Sequence, residues 1–178
     1  MKRIVLISLI AVVSCICTTE HLVAQVLTST EVWADAGSSI TGASTQDGLA
    51  SPYCLTVSPD SKNVYVSGFS DNALVVFDRD TGTGALTFRE VWADAGSPIT
   101  GATTQDGLSM PQWVTVSPDG TSLYVCGSDD SSLVVFDRNA TTGALAFREV
   151  WQDPDAVSPI TGASTVDGLE WSSCVRVS

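Results

Sequence analysis

Residues 117–151 read SPDGTSLYVCGSDDSSLVVFDRNATTGALAFREVW, and this stretch decides the architecture. Three runs rich in β-favouring residues, Ser122–Cys126, Leu133–Asp137 and Ala144–Trp151, are set apart by turn chemistry. The turns are Pro118-Asp119-Gly120, Ser128-Asp129-Asp130-Ser131 and Asn139-Ala140-Thr141-Thr142-Gly143. A fourth run, Trp113–Val116, stands just before them. Four short strands joined by tight turns predict one small antiparallel meander. Leu145 and Phe147 share a face by the period of two, and Leu133–Phe136 is apolar throughout, as suits a strand covered on both sides.

Working outward, the stretch proves to be a repeat. Glu31-Val32-Trp33 returns as Glu90-Val91-Trp92 and Glu149-Val150-Trp151, 59 residues apart each time. Residues 31–89 and 90–148 align without a gap, and about two-thirds of the positions are identical. The third copy carries a two-residue insertion near Pro154-Asp155. A lone meander cannot bury both of its faces; copies stacked about an axis can. The expected fold is therefore all-β, a β-propeller of four-stranded antiparallel blades.

The organisation follows. Residues 34–92 are a linker plus a first blade, 93–151 a linker plus a second, and 152–178 a linker plus the start of a third. Residues 25–33 (QVLTSTEVW) match an outermost strand without its blade, and Val175–Ser178 matches the innermost strand Val114–Ser117. A ring needs about 4–8 blades. The sequence thus reads as an incomplete propeller, the N-terminal part of a longer protein or a truncated product. A chain of this length standing alone would have to close its ring by self-association.

Residues 1–24 have the form of an export leader, with Lys2-Arg3 ahead of the apolar Ile4–Val13. Two processing readings compete. Cleavage after Ala24 would expose Gln25, whereas Val12-Val13-Ser14-Cys15 resembles a lipobox that would make Cys15 the acylated N-terminus. Either places the repeats outside the cytoplasm. The apolar run is shorter than the roughly 20 residues of a membrane span. With 8 Lys+Arg against 20 Asp+Glu the net charge is −12, which opposes binding to nucleic acid. The one histidine, His21, precedes the repeats, so they hold no Ser-His-Asp or Cys-His arrangement.

The pieces VSPDSKNVYVSG (57–68) and LVVFDRDTGTGALTF (74–88), with their second copies at 116–127 and 133–147, resemble the lactonase-type propellers. That group contains the bacterial 6-phosphogluconolactonase-like proteins. The resemblance implies a propeller and, as one function, lactone hydrolysis. Near-identical blades argue for the other reading, a binding or scaffold module for a small molecule, a glycan or a protein, because a catalytic site on the axis needs different residues from different blades.

Three sets of residues are candidates for chemistry. Where the repeat breaks, at the entrance of each innermost strand, stand Tyr53-Cys54, Gln112-Trp113 and Ser173-Cys174. These are the expected channel-lining positions. Asp71, Asp78 and Asp80 in one blade, and Asp129, Asp130 and Asp137 in the next, are oxygen ligands that a Ca²⁺ ion could use, although the EF-hand spacing is absent. Turn-forming aspartates, each bonding its own backbone, are the better explanation of them. Lastly, the long linkers repeat Asp35, Thr45, Gln46 and Asp47 as Asp94, Thr104, Gln105 and Asp106, a polar surface or a cap over the blade edge.

Overall fold

Turn chemistry and alternation yield an all-β chain in the computed structural model, which describes residues 31–169, 172 and 175–177. The leader, Cys15, residues 25–30, Ser173 and Cys174 lie outside the described residues. Two short strands come first, β1 (Trp33–Ala34) and β2 (Ser44–Thr45), paired in parallel. The first blade is β3 (Pro52–Val57), β4 (Asn63–Gly68), β5 (Ala73–Arg79) and β6 (Leu86–Ala93), antiparallel and in sequence order. The second is β8 (Pro111–Val116), β9 (Ser122–Gly127), β10 (Ser132–Arg138) and β11 (Leu145–Gln152).

Each blade carries one strand that the pattern did not foretell. The linker leaving β6 folds back so that β7 (Thr103–Thr104) runs parallel to the end of β6, and β12 (Ser164–Thr165) does the same beside β11. A two-residue exposed strand of Ser and Thr leaves no periodicity to read. A second departure is a bulge. Val76 faces Glu90 but Phe77 faces Phe88, so Arg89 is the extra residue, and Arg148 is its counterpart. The bulge resets the phase and lets Phe88 and Val91 join one face despite their odd spacing.

The two blades stand side by side with β3 against β8. The back of the first blade (Tyr65, Leu74, Val76, Trp92) packs on the front of the second (Val114, Leu123, Val125, Val134, Phe136) in one buried cluster. Trp92 meets Phe136 edge-on at 5.0 Å. Within this cluster lies a buried polar knot. Arg138 donates from Nε to the Tyr65 hydroxyl (2.6 Å), from Nη1 to the Gly120 carbonyl (2.8 Å) and from Nη2 to Asn63 Oδ1 (2.7 Å). The same Nη2 reaches Asp60 at 3.2 Å, and the Tyr65 hydroxyl donates onward to the Gly143 carbonyl at 3.0 Å. Burial opposes ionisation of Asp60. Hydrogen bonds from the Ser58 hydroxyl, the Lys62 amide and Arg138 nonetheless hold its carboxyl below the usual range.

Gly143 sits where the blades touch. Its φ is +78°, and a Cβ added there would stand 2.1 Å from Asn63. Gly84, its equivalent in the first blade, has φ +82° but meets nothing nearer than 3.6 Å. Both alanine variants carry the cost of a left-handed backbone, about 1 kcal/mol. Gly143→Ala should cost at least about 1–3 kcal/mol more than Gly84→Ala, since only it forces the blades apart. Urea unfolding of the two variants measures the difference, and equal losses would contradict this packing.

Candidate functional site

The chemistry-bearing side chains gather at one end of the blades, where linkers cross to the innermost strands. The crossing is close. A Cβ on Gly68 would stand 1.9 Å from the Gly48 carbonyl oxygen, and one on Gly127 would stand 2.2 Å from that of Gly107, so both strand ends need glycine. Aspartates tie the linker down by accepting its backbone amides. Asp94 Oδ1 accepts from Gly107 and Leu108, both at 3.0 Å, and Asp35 Oδ1 from Leu49 at 3.2 Å. In the third linker Asp153 Oδ2 accepts from Gly168 and Leu169 at 3.0 Å. The turns after β4 and β9 supply a second clamp: Asp71 Oδ2 accepts from Ala50 and Asp130 Oδ2 from Ser109, each at 2.9 Å.

This tethering assembles two carboxylate triads, Asp35–Asp47–Asp71 and Asp94–Asp106–Asp130, whose oxygens lie within 4.8 Å of one another. Among the calcium candidates, Asp71 and Asp130 thus join linker aspartates rather than their neighbours in sequence. Each triad brings three carboxylates together, and Ca²⁺ takes roughly six to eight oxygens, drawn from carboxylates, backbone carbonyls and water. The other four candidates are engaged elsewhere. Asp78 pairs with Arg89 at 2.7 Å, and Asp137 pairs with Arg148. Asp80 accepts from the Gly82 and Thr83 amides at its own turn, and Asp129 accepts from the Ser109 hydroxyl. The sequence showed every one of these aspartates, but their convergence depends on the linker fold. A shared 59-residue offset of all three triad members was the available signal.

Burial and, to a lesser degree, neighbouring like charges act on these carboxyls. Burial, above all, pushes the Asp130 carboxyl up to about 6; the Ser109 amide opposes this, and the charges of Asp94, Asp106 and Asp129 add to it. Burial likewise raises Asp71 and Asp94. An acid whose folded pKa lies above its unfolded value binds its proton more tightly when folded. The stability it contributes is complete below about pH 4 and is lost as pH rises through about 6. Unfolding free energy should therefore fall across this window. Asp130→Asn keeps an acceptor for the Ser109 amide and should flatten the profile, with a gain of about 1–2 kcal/mol at pH 7.5. Urea titrations at several pH values test this; a variant profile parallel to the parent's would refute it.

Of the channel-entrance residues, Tyr53-Cys54 and Gln112-Trp113 follow closely on Ala50 and Ser109, whose amides Asp71 and Asp130 accept. Tyr53 is 62% exposed and leans on Phe69, with ring centroids 5.8 Å apart. Tyr53 and Cys54 line a cavity of about 240 Å³ with Pro52, Leu55 and Val66. The Cys54 thiol is directed at the Val114 carbonyl of the next innermost strand (3.9 Å). In the second blade Gln112 Nε2 donates to the Ser128 hydroxyl at 3.1 Å, and Trp113 is half-buried. Just upstream, Ser51 and Met110 hold left-handed backbones at φ +52° and +48°. Non-glycine residues with such dihedrals are strained, and they aim the chain into the innermost strand.

Comparison with known proteins agrees with this architecture. The family model described as lactonase, 7-bladed β-propeller, matches residues 34–161. No curated protein matches the chain. Among solved structures, the periplasmic gluconolactonase of Pseudomonas aeruginosa is 24% identical, with a TM-score of 0.47, over 61% of this chain and 28% of that one. A protein from Bacteroides uniformis, proposed to be a 6-phosphogluconolactonase, is 21% identical with a TM-score of 0.47, over 58% of this chain and 27% of its own. A functionally unknown protein from Desulfotomaculum acetoxidans is 20% identical with a TM-score of 0.47, over 64% and 31%. The chain thus spans about 27–31% of the length of these three structures. Two packed meanders with tethered linkers, matched over most of their length by one family model, mean that this chain belongs to the lactonase family of 7-bladed β-propellers.

Proposed function

We propose that this chain is an exported binding module of its family. Its ligand is a small hydroxyl-bearing molecule such as a sugar, held at the end of the blades where the linkers cross. The observation that carries the reading is Tyr53, a largely exposed aromatic side chain propped on Phe69 at the mouth of an innermost strand. Tyrosine offers a flat apolar face with a polar tip, and the neighbouring carboxylates offer acceptors for hydroxyl groups. The triad aspartates recur from blade to blade and supply similar acceptors side by side, which suits binding better than the unlike partners of a catalytic centre. The leader-like segment at residues 1–24 supports export. Among the described residues no helix is long and apolar enough to cross a membrane.

Calorimetric titration with a panel of mono- and oligosaccharides and aldonolactones tests the reading. Saturable binding is expected, weakened about tenfold or more by Tyr53→Ala at unchanged melting temperature, because so exposed a ring adds little to stability. Binding by no member of the panel, or binding indifferent to Tyr53, would contradict it.

One observation favours a second reading, lactone hydrolysis. Asp130 is a buried carboxyl held at about 6, within the range of a general base working near neutrality. Its signature would be lactone turnover above the spontaneous rate that is lost in Asp130→Asn. The binding reading expects no such turnover.

A further inference from the structure

Asn139-Ala140-Thr141 is the one Asn-X-Ser/Thr triplet in the chain, since Asn63 and Asn72 have Tyr65 and Leu74 in the third place. It opens the turn from β10 to β11, where Asn139, Ala140, Thr141 and Thr142 are all exposed. Asparagine in such a triplet is the acceptor of N-linked glycans, and it does so from surface loops of exported proteins.

The turn itself does not account for the triplet. Asn139 Oδ1 accepts from the Thr141 and Thr142 amides at 2.9 and 3.0 Å. In the first blade Asp80 Oδ1 does the same for the Gly82 and Thr83 amides, at 3.0 and 2.7 Å. One oxygen therefore builds this turn, and a carboxylate supplies it as well as an amide does. What asparagine adds is Nδ2, which meets no acceptor among the described residues. With Oδ1 directed at the turn, the nitrogen on the same carbon is held outward, into water.

Threonine at position 141 is equally surplus to the fold. Its counterpart Gly82 has no left-handed backbone, and a Cβ there would meet only Asp80 Oδ1, at an ordinary 3.5 Å. The Thr141 amide serves the turn, but its hydroxyl bonds to none of the described residues. By contrast Thr142 Oγ1 accepts from the Ala144 amide at 3.3 Å, as Thr83 Oγ1 does from that of Ala85. Both positions that define the triplet thus differ between the two copies, and neither difference serves the turn.

We propose that Asn139 carries an N-linked glycan on the exported chain. The proposal rests on the export reading above and is independent of the ligand. In the transfer, Nδ2 bonds to the anomeric carbon of a lipid-pyrophosphate-linked oligosaccharide. The bond from that carbon to the pyrophosphate oxygen breaks, the lipid pyrophosphate leaves with the electron pair, and Nδ2 gives up one proton. Asp137 stands two residues before Asn139. Bacterial transferases of this class require an acid there, whereas the eukaryotic ones need only the triplet, so this turn suits either source. Asp137 pairs with Arg148 in the folded chain, but both side chains are about half in water and such a pair contributes little.

The placement leaves the proposed ligand site free. Successive strands alternate in direction, so the β10–β11 turn lies at the end of the blade opposite the linker crossing. The seven residues of β10 separate the two ends by about 20 Å. A glycan on Asn139 therefore stands clear of the carboxylate triads.

The test uses the full chain with its own leader and, in parallel, with an established secretory leader. Both are produced in a eukaryotic secretory host and in a bacterium given an asparagine-glycosylation pathway. Intact mass and peptide mapping of the exported protein should show one added glycan, released by an amidase that converts the asparagine to aspartate. Asn139→Asp keeps the turn, as Asp80 does in the first blade, and should be exported without the glycan at the melting temperature of the deglycosylated parent. Thr141→Ala should also abolish the modification. Asp137→Ala distinguishes the sources: it should remove the glycan in the bacterium and leave it in the eukaryotic host. An exported chain without a glycan in both hosts overturns the proposal, as does a glycan that survives Asn139→Asp. A chain retained under its own leader but glycosylated under the foreign one overturns the export reading and upholds the acceptor site.

Discussion

Replacing Arg138 by alanine is expected to destabilise the chain by about 3–5 kcal/mol, enough to unfold a large fraction of a marginal two-blade structure. The side chain is buried and makes hydrogen bonds to the Tyr65 hydroxyl, the Gly120 carbonyl and Asn63, as well as the ion pair with Asp60. Its removal takes the guanidinium donor from the Gly120 carbonyl and Asn63 Oδ1 in a largely apolar interface and leaves Asp60 without its ion pair, and unmet buried groups cost more than the lost bonds were worth. Tyr65→Phe removes one hydroxyl from the same knot and should cost only about 1–2 kcal/mol. Arg148→Ala is the control. That arginine sits on an exposed bulge against Asp137, with both side chains about half in water, and should cost less than about 1 kcal/mol. Chemical denaturation of the three variants gives the ranking, and an Arg138 loss no larger than that of Arg148 would refute the interface.

Phe136→Ala should be about as severe, at roughly 3–5 kcal/mol. The ring is fully buried at the centre of the inter-blade cluster, edge-on to Trp92 from the other blade. The cavity it leaves is bounded by β9, β10 and β11 with the facing blade, and hydrogen-bonded strands cannot collapse into it. Phe147 stands 6.4 Å from Phe136, centroid to centroid, but is 41% exposed, so Phe147→Ala should lose under about 1 kcal/mol. Near-ultraviolet circular dichroism should also weaken in Phe136→Ala, where the Trp92 indole loses its fixed neighbour, and hold in Phe147→Ala.

The architecture was legible because it is written twice. Turns such as Ser117-Pro118-Asp119-Gly120 and apolar runs such as Leu133–Phe136 define strands, and the 59-residue period forces them to stack. The strand ends fell within a residue or two of expectation. The bulges at Arg89 and Arg148 were not legible, because a single extra residue in an alternating strand only shifts the phase. The parallel pairs of β6 with β7 and β11 with β12 were hidden in linkers that read as capping loops. Asp35, Asp94 and Asp153 accept amides of their own linkers. The site was legible only in parts. Asp71 and Asp130 stood out as turn aspartates, and Asp47 and Asp106 as repeated linker residues, but nothing local says that a linker crosses above a turn 24 residues away. Likewise Arg138 reads as one more charge after a strand. Only the facing blade makes it the centre of a buried knot.

The measurement that tests the account most directly is a double-mutant cycle between Tyr65 and Arg138, which lie 73 residues apart in sequence and in different blades. Unfolding free energies of the parent, Tyr65→Phe, Arg138→Ala and the double variant suffice. Consecutive blades packed as described put a hydroxyl and a guanidinium 2.6 Å apart in a buried interface, and the coupling should be about 1–2 kcal/mol. Losses that add within about 0.5 kcal/mol would mean that the two side chains do not meet, and the propeller packing of these blades would be wrong.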